Sequence, residues 1–280
     1  MIGLPTEVDA PFGTFAPDRW ARFVLGKRNA DRPRRAWPLR RKIGKAWLRK
    51  TGRIFDIVFM GFRLRLHPAS NAGDEAIVLN GIHGEEDEFA RVAAHAATYE
   101  NFIDIGANIG LYSLVAARAL PEGRPIVAFE PDPRTAQRLK MHLALNAADR
   151  VVVIEAAVSP EKGEMSIWQP AHNIGCTSAN KRFDDWVELK VPTLPLADAL
   201  AGLGIGRIGM LKIDIEGFED RALLPYLDTM PSESWPRYIL IEVCHHKYWQ
   251  RDTVAELRAH GYREVFRNAR NMHFEYGGAA

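Results

Sequence analysis

Cysteine is scarce: Cys176 and Cys244 are the only two in 280 residues. They lie far apart and form no CxxC pair. That excludes a Cys-rich zinc site and a disulfide framework, and it suits a reducing, cytoplasmic compartment. No apolar run approaches the ~20 residues that span a bilayer. The opening stretch, MIGLPTEVDAPFGTF, carries acids and prolines and no apolar core, so a secretory signal is not expected. The glycine turn at residues 106–110 is GxxxG rather than GxGxxG, which argues against a dinucleotide site there. Net charge is almost missing too, with 37 Lys and Arg against 35 Asp and Glu.

What is present is a segregation of charge. Between Arg19 and Arg53 stand 14 basic residues and one acid, Asp31, a net +13. The rest of the chain, with 23 basic and 34 acidic residues, carries −11. The sequence reads as a flexible tail and basic helical arm over residues 1–53, joined to an acidic body over 54–280. In the arm, Leu39, Ile43 and Trp47 recur every four residues among Arg and Lys, a short basic amphipathic helix. Its target is either an anionic membrane surface or glycan met through residues 19–53, or nothing but the body, with Trp37, Ile43 and Trp47 packed inward. Nucleic acid is disfavoured, because no stacking platform or reading motif accompanies the charge.

Hydrophobic residues at 47% exclude wholesale disorder. In the body, residues 54–100 read as a hairpin turning at Gly61 and then a helix. From residue 101 strands and helices alternate, and strand interiors such as VVVI and YILI are continuous apolar runs. That order argues for an open, mostly parallel sheet covered by helices on both faces.

The chemistry is written at strand ends. FIDIGANIG, residues 102–110, is a strand-to-helix turn in which Gly106 and Gly110 permit tight turning and close approach to a ligand. Asp104, at the strand end, suits a cation or ammonium better than a pyrophosphate. Glu130 ends the next strand, where an acid accepts hydrogen bonds from a ribose diol. Asp214 and Glu216, in LKIDIEGFE, and Glu242 and His245, in IEVCHH, follow two further strands to the same sheet edge. A carboxylate cluster with a histidine suits deprotonating or orienting a hydroxyl. The plainer alternatives are a helix-terminal acid for Glu216 and a surface residue for His245. His246 is an alternative to His245.

Taken together, FIDIGANIGLYS, VAFEPDP, EAAVS and LKIDIEGFE resemble the S-adenosylmethionine-dependent methyltransferases of class I, and among them the FkbM family. The resemblance covers about residues 55–266. It implies a Rossmann-like seven-stranded sheet whose last strand is antiparallel, carrying an N-terminal basic helical extension here. It implies S-adenosylmethionine as cofactor. Asp104, Gly106, Asn108 and Gly110 would hold its methionine part and Glu130 its ribose. Glu155 to Val158, centred on Ala157, would line the adenine. The N/D-P-P-Y/F segment of base N-methylases is absent, so a hydroxyl acceptor on a saccharide or polyketide-like product is expected. Asp214, Glu216, Glu242 and His245 would be catalytic. A divalent cation among those four is an alternative that their spacing does not mark as a ligand signature. Asn173 to Ser178 resembles a polar loop over the site. A protein that binds the cofactor without turnover, anchored by its arm to an anionic surface, is the competing class.

Overall fold

The computed structural model describes residues 10–25, 37–170 and 177–277. Its centre is a seven-stranded sheet in the order β11-β12-β10-β9-β3-β4-β5. Five consecutive parallel strands are β3 (Phe102–Ile105), β4 (Ile126–Phe129), β5 (Val151–Ile154), which forms one edge, β9 (Met210–Ile213) and β10 (Tyr238–Glu242). β11 (Tyr262–Arg267) and β12 (Asn271–Tyr276) complete it, with β12 antiparallel to both its neighbours.

Side chains alternate across a strand, and the two cores show it. Phe102, Met210, Tyr238 and Leu240 enter one apolar cluster. Their neighbours Ile103, Leu211, Ile239 and Ile241 enter the other. Both sheet faces are thus covered, which is why these strands lack polar alternation. Helices α5 (Leu111–Ala119) and α6 (Pro133–Leu145) connect the first three parallel strands. Helices α8 (Glu219–Thr229) and α9 (Thr253–Ala259) follow β9 and β10.

The N-terminal hairpin, β1 (Phe55–Phe59) and β2 (Phe62–Leu66), turns on Met60 and Gly61, both at positive φ. A two-residue hairpin turn needs that conformation. Helix α4 (Glu86–Ala96) lies where its periodicity placed it. One feature here was not anticipated. Helix α3 (Ala72–Asn80) is capped by Asn71, whose side chain accepts from the Asp74 N–H, and ends on left-handed Gly81. An Asn-x-x-Asp start and a Gly stop are helix signals that apolar periodicity alone overlooks. A three-stranded sheet in the order β6-β8-β7 stands between β5 and β9, built from β6 (Ala157–Val158) and the antiparallel pair β7 (Gly163–Pro170) and β8 (Trp186–Leu194), and α7 (Leu196–Gly202) follows it.

The arm is tied to the body more firmly than expected. Residues 10–18 are not loose, since the Gly13 and Phe15 N–H groups donate to the buried Asp56 carboxylate at 2.7 and 3.1 Å. Asp56 is also paired at 2.8 Å with fully buried Arg65. Helix α1 (Arg19–Leu25) and helix α2 (Trp37–Thr51) send Ala21 and Leu48 into the core. Lys45 pairs with Glu75 at 2.8 Å, and Trp47 packs on Phe55. Ile43, expected to pack inward, is 54% exposed. The side chain of Trp37 lies outside the described residues. Among the described residues no helix is long and apolar enough to cross a membrane.

Candidate functional site

A cavity of about 370 Å³ opens over the carboxyl ends of β3, β4 and β9. Its floor is the glycine turn. The N–H groups of Gly106 and Ala107 both donate to Phe129 O, at 3.0 and 2.9 Å, which folds the turn against β4. Gly106 has φ +78, and a Cβ there would sit 2.0 Å from Asp214 O. At Gly110, φ +90, a Cβ would sit 2.3 Å from Leu139 Cδ1. Both positions exclude a side chain on two grounds, conformation and space. Asn108 takes a left-handed φ of 50, and its N–H donates to Glu130 Oε2 at 2.9 Å.

Glu130 stands at the cavity wall, 6% exposed. Its second oxygen accepts from the Asp132 N–H at 3.0 Å. Each oxygen keeps a lone pair free, so the carboxylate can receive a vicinal diol. Burial pushes Glu130 up to about 7, against the two N–H groups that favour its charge. Thr135 lines the same wall, and its buried hydroxyl has no hydrogen-bond partner among the described residues. Ala157 lines the cavity beside Ala156, Val158 and Met165, an apolar slot of the kind a flat base enters. Glu155 does not join them. It is exposed and pairs with Lys140.

Asp104 is not where the ligand reading needs it. It is fully buried and absent from the cavity lining. One oxygen accepts from Ser113 Oγ at 2.7 Å, and the other faces Lys212 Nζ at 3.3 Å. The parallel register of β3 and β9 sets Asp104 beside Lys212. Lys212 Nζ also donates to Gly106 O at 2.6 Å. The lysine, not the aspartate, reaches the cavity. Burial works against the Lys212 charge, but Asp104, Asp214 and Glu85 outweigh it and raise its pKa.

Asp214, Glu216 and Glu242 each bring one carboxylate oxygen into a group spanning no more than 4.8 Å. Asp214 and Glu216 line the cavity, while Glu242 and His245 stand behind them. His245 Nδ1 lies 3.2 Å from Glu216 Oε2 and 3.1 Å from Glu242 Oε2. Its Nε2 is 3.0 Å from Arg182 Nη1. A guanidinium only donates, so Nε2 is the accepting nitrogen and Nδ1 carries the proton. Burial, then the Arg182 charge, pushes His245 down to about 4. The imidazole is therefore neutral with its lone pair capped, a poor fit to the general base the sequence suggested. Burial, reinforced by the Asp214 charge, instead holds Glu216 and Glu242 well above the ordinary carboxylate range. His246 is exposed and faces the Val243 carbonyl at 2.8 Å, so His245 is the histidine of the cluster. Cys244 donates to Glu242 at 2.8 Å, and burial pushes its thiol up to about 12, which leaves it an inert donor.

Three contributors lie outside the motifs, Asn180, Arg182 and Arg270, and Ser178 ends the polar loop expected over the site. Ser178, Asn180 and Arg182 donate to the carbonyls of Glu216 and Gly217 at 2.9, 3.2 and 2.7 Å. Those bonds hold Glu216 in its left-handed φ of 59. Arg182 Nη1 also pairs with Glu216 Oε2 at 2.8 Å. Arg270, in the β11–β12 turn, lies 3.5 Å from Glu242. Asn173 to Cys176 lie outside the described residues, while Thr177 and Ser178 line the cavity. The three carboxylates could serve a divalent cation as oxygen donors, but Arg182 and Arg270 already offset part of their charge.

The sheet order, with one antiparallel strand inserted beside β10 and a glycine turn under a nucleoside-sized cavity, defines a Rossmann-like class I methyltransferase fold. Residues 104–264, more than half of the chain, match the methyltransferase FkbM domain. The chain belongs to that family. It is 30% identical to the 31-O-demethyl-FK506 methyltransferase FkbM of Streptomyces tacrolimicus, over 58% of this chain and 72% of that protein. It is 29% identical to the methyltransferase sdnD of Sordaria araneosa, over 50% of this chain, and spans 64% of that relative's length. A solved methyltransferase from Geobacter sulfurreducens aligns over 68% of this chain and 78% of its own, at 13% identity and a TM-score of 0.42. An O-methyltransferase from Bacillus cereus in complex with SAH aligns over 67% and 78%, at 13% identity and a TM-score of 0.38.

Proposed function

We propose that the protein is a cytoplasmic enzyme that transfers the methyl group of S-adenosylmethionine to a hydroxyl of a saccharide or polyketide-like acceptor. The observation that carries this reading is the junction of Asp214 and Glu216, both lining the cavity, with the Gly106 turn beneath them. The bound cofactor supplies an electrophilic methyl. The protein must then align a nucleophile and take its proton. Glu216, held near neutrality, takes the hydroxyl proton, and Asp214 orients the hydroxyl. Arg182 fixes Glu216 from behind, and Glu242 with His245 keeps the Arg182 end of the network in register. Glu130 receives the ribose diol, and the Ala156–Val158 strip receives the base. The Streptomyces tacrolimicus relative is named for a 31-O-demethyl substrate, which favours an oxygen acceptor.

Calorimetry with S-adenosylmethionine, followed by labelled-methyl turnover on polyols and glycans, tests the reading. Glu216→Gln should keep cofactor binding and lose at least 100-fold in kcat. No heat on titration sinks the cofactor assignment. Binding without turnover on any acceptor favours the non-catalytic class instead.

The arm supports a second role. Arg41, Lys42, Arg49 and Lys50 lie on the exposed side of α2, and no ion pair engages them among the described residues. We propose that this side meets an anionic membrane surface, with exposed Ile43 at its edge.

A further inference from the structure

The cofactor expected here ends in an α-amino acid, one ammonium and one carboxylate on a single carbon. Asp104 was the natural partner for the ammonium, but Ser113 and Lys212 occupy its oxygens. Another acid is better placed. Glu85, at the start of α4, lines the cavity with a side chain only 10% exposed. No hydrogen bond reaches its carboxylate among the described residues. Two nitrogens stand near it at longer range, His83 Nδ1 at 3.5 Å and the Arg270 guanidinium Nη1 at 3.7 Å. Arg270 also lines the cavity and keeps half of its side chain exposed. A buried carboxylate without donors is costly unless a cation arrives, and burial holds Glu85 above its ordinary value.

The span also fits. Glu130 and Ala157 flank the β4–β5 side of the cavity. Arg270 bridges Glu85 to Glu242 at the end of β10. From β4 to β10 the order runs through β3 and β9, three steps of ~4.8 Å, or about 14 Å. That is the reach of an extended nucleoside bearing an amino acid.

We propose that Glu85 and Arg270 form the receptor for the amino-acid end of S-adenosylmethionine, Glu85 taking the ammonium and Arg270 the carboxylate. The proposal rests on the cofactor reading above. Neither residue lies in the segment that matches the family domain, 104–264. The methionine end of the ligand is then gripped by the helix before the domain and the hairpin turn after it.

The test is calorimetry on the full chain with two probes, S-adenosylhomocysteine and 5′-methylthioadenosine, which lacks the amino-acid end. Wild type should prefer the homocysteine compound. Glu85→Gln should weaken that compound at least tenfold and leave methylthioadenosine within twofold. Arg270→Gln, at a half-exposed position that tolerates change, should repeat the contrast and covers the case in which Glu85→Gln does not fold. Equal weakening of both probes assigns the two residues a structural role and overturns the proposal, as does no change in either. Wild type binding methylthioadenosine as well as the homocysteine compound overturns it too, while leaving the nucleoside site standing. Wild type binding neither probe sinks the cofactor reading itself, and this proposal with it.

Discussion

Replacing Glu130 by glutamine separates what this carboxylate does for a ligand from what it costs the fold. Burial moves its pKa from 4.5 to about 7. Between those values the folded protein keeps a proton that the unfolded chain has released, so stability falls as pH rises. Below the lower value both states are protonated and the residue contributes nothing. Above the upper value the loss is complete. At about 1.4 kcal/mol per pH unit, the whole span amounts to about 3 kcal/mol. The Glu130→Gln variant does not titrate there. It loses one acceptor for the Asn108 and Asp132 N–H groups, an offset on the order of 1–3 kcal/mol that is constant with pH. The informative quantity is the difference in unfolding free energy, wild type minus variant, from urea titrations. All other carboxylates cancel in it. It should drop by about 2.5 kcal/mol from about pH 5 to about pH 8. A difference flat to within ~0.5 kcal/mol across that range refutes the argument, and with it the view that burial outweighs the two N–H groups that favour the charged form of Glu130.

Two further perturbations read the cradle and the arm. Gly106→Ala drives a Cβ to 2.0 Å from Asp214 O at a positive φ, so it should cost more than ~3 kcal/mol or prevent folding; a variant that melts in urea within ~1 kcal/mol of wild type would contradict the turn geometry. Replacing Arg41, Lys42, Arg49 and Lys50 by glutamine should abolish co-sedimentation with vesicles containing phosphatidylserine, at about 1 kcal/mol per cation, whereas vesicle binding that survives the change, or equal binding to duplex DNA, points away from a membrane.

Much of the frame was readable because it rests on main-chain demands. Apolar runs such as IVAF and YILI are buried throughout, as a doubly covered parallel sheet asks. The glycines of FIDIGANIG sit where no other residue fits. The position of Asp104 at a strand end was readable too, but not its direction. On β3 the alternation that sends Phe102 under the helices on one face sends Asp104 after it, toward Ser113 of α5. Only the register with β9 reveals that Lys212 waits beside it. Arg182 and Arg270 carry no local signal at all. Each is one cation in a connecting segment, and its meaning comes from a carboxylate far away in sequence. Helix α3 was missed for another reason: its caps mark it, but its buried face is short.

The charge segregation takes on a different sense once pairs are distinguished from free charges. Regional sums treat every ionised group alike, although attraction to a surface depends on groups that remain unpaired. In the arm, Lys45 is paired with Glu75 and Arg53 with Asp18; the first pair holds the arm to α3 and the second closes the arm on its own first segment. They cannot also recruit a partner. In the body, the acids at the sheet edge face Arg182, Arg270 and Lys212, so the excess negative charge there is not a field offered to solvent. At Glu216 the Arg182 pair works against the burial and the Asp214 charge that raise this carboxyl to about 7. The proposed membrane contact therefore falls to the α2 cations that no ion pair engages among the described residues, Arg41, Lys42, Arg49 and Lys50, and the proposed acceptor would meet carboxylates that Arg182 and Arg270 already face.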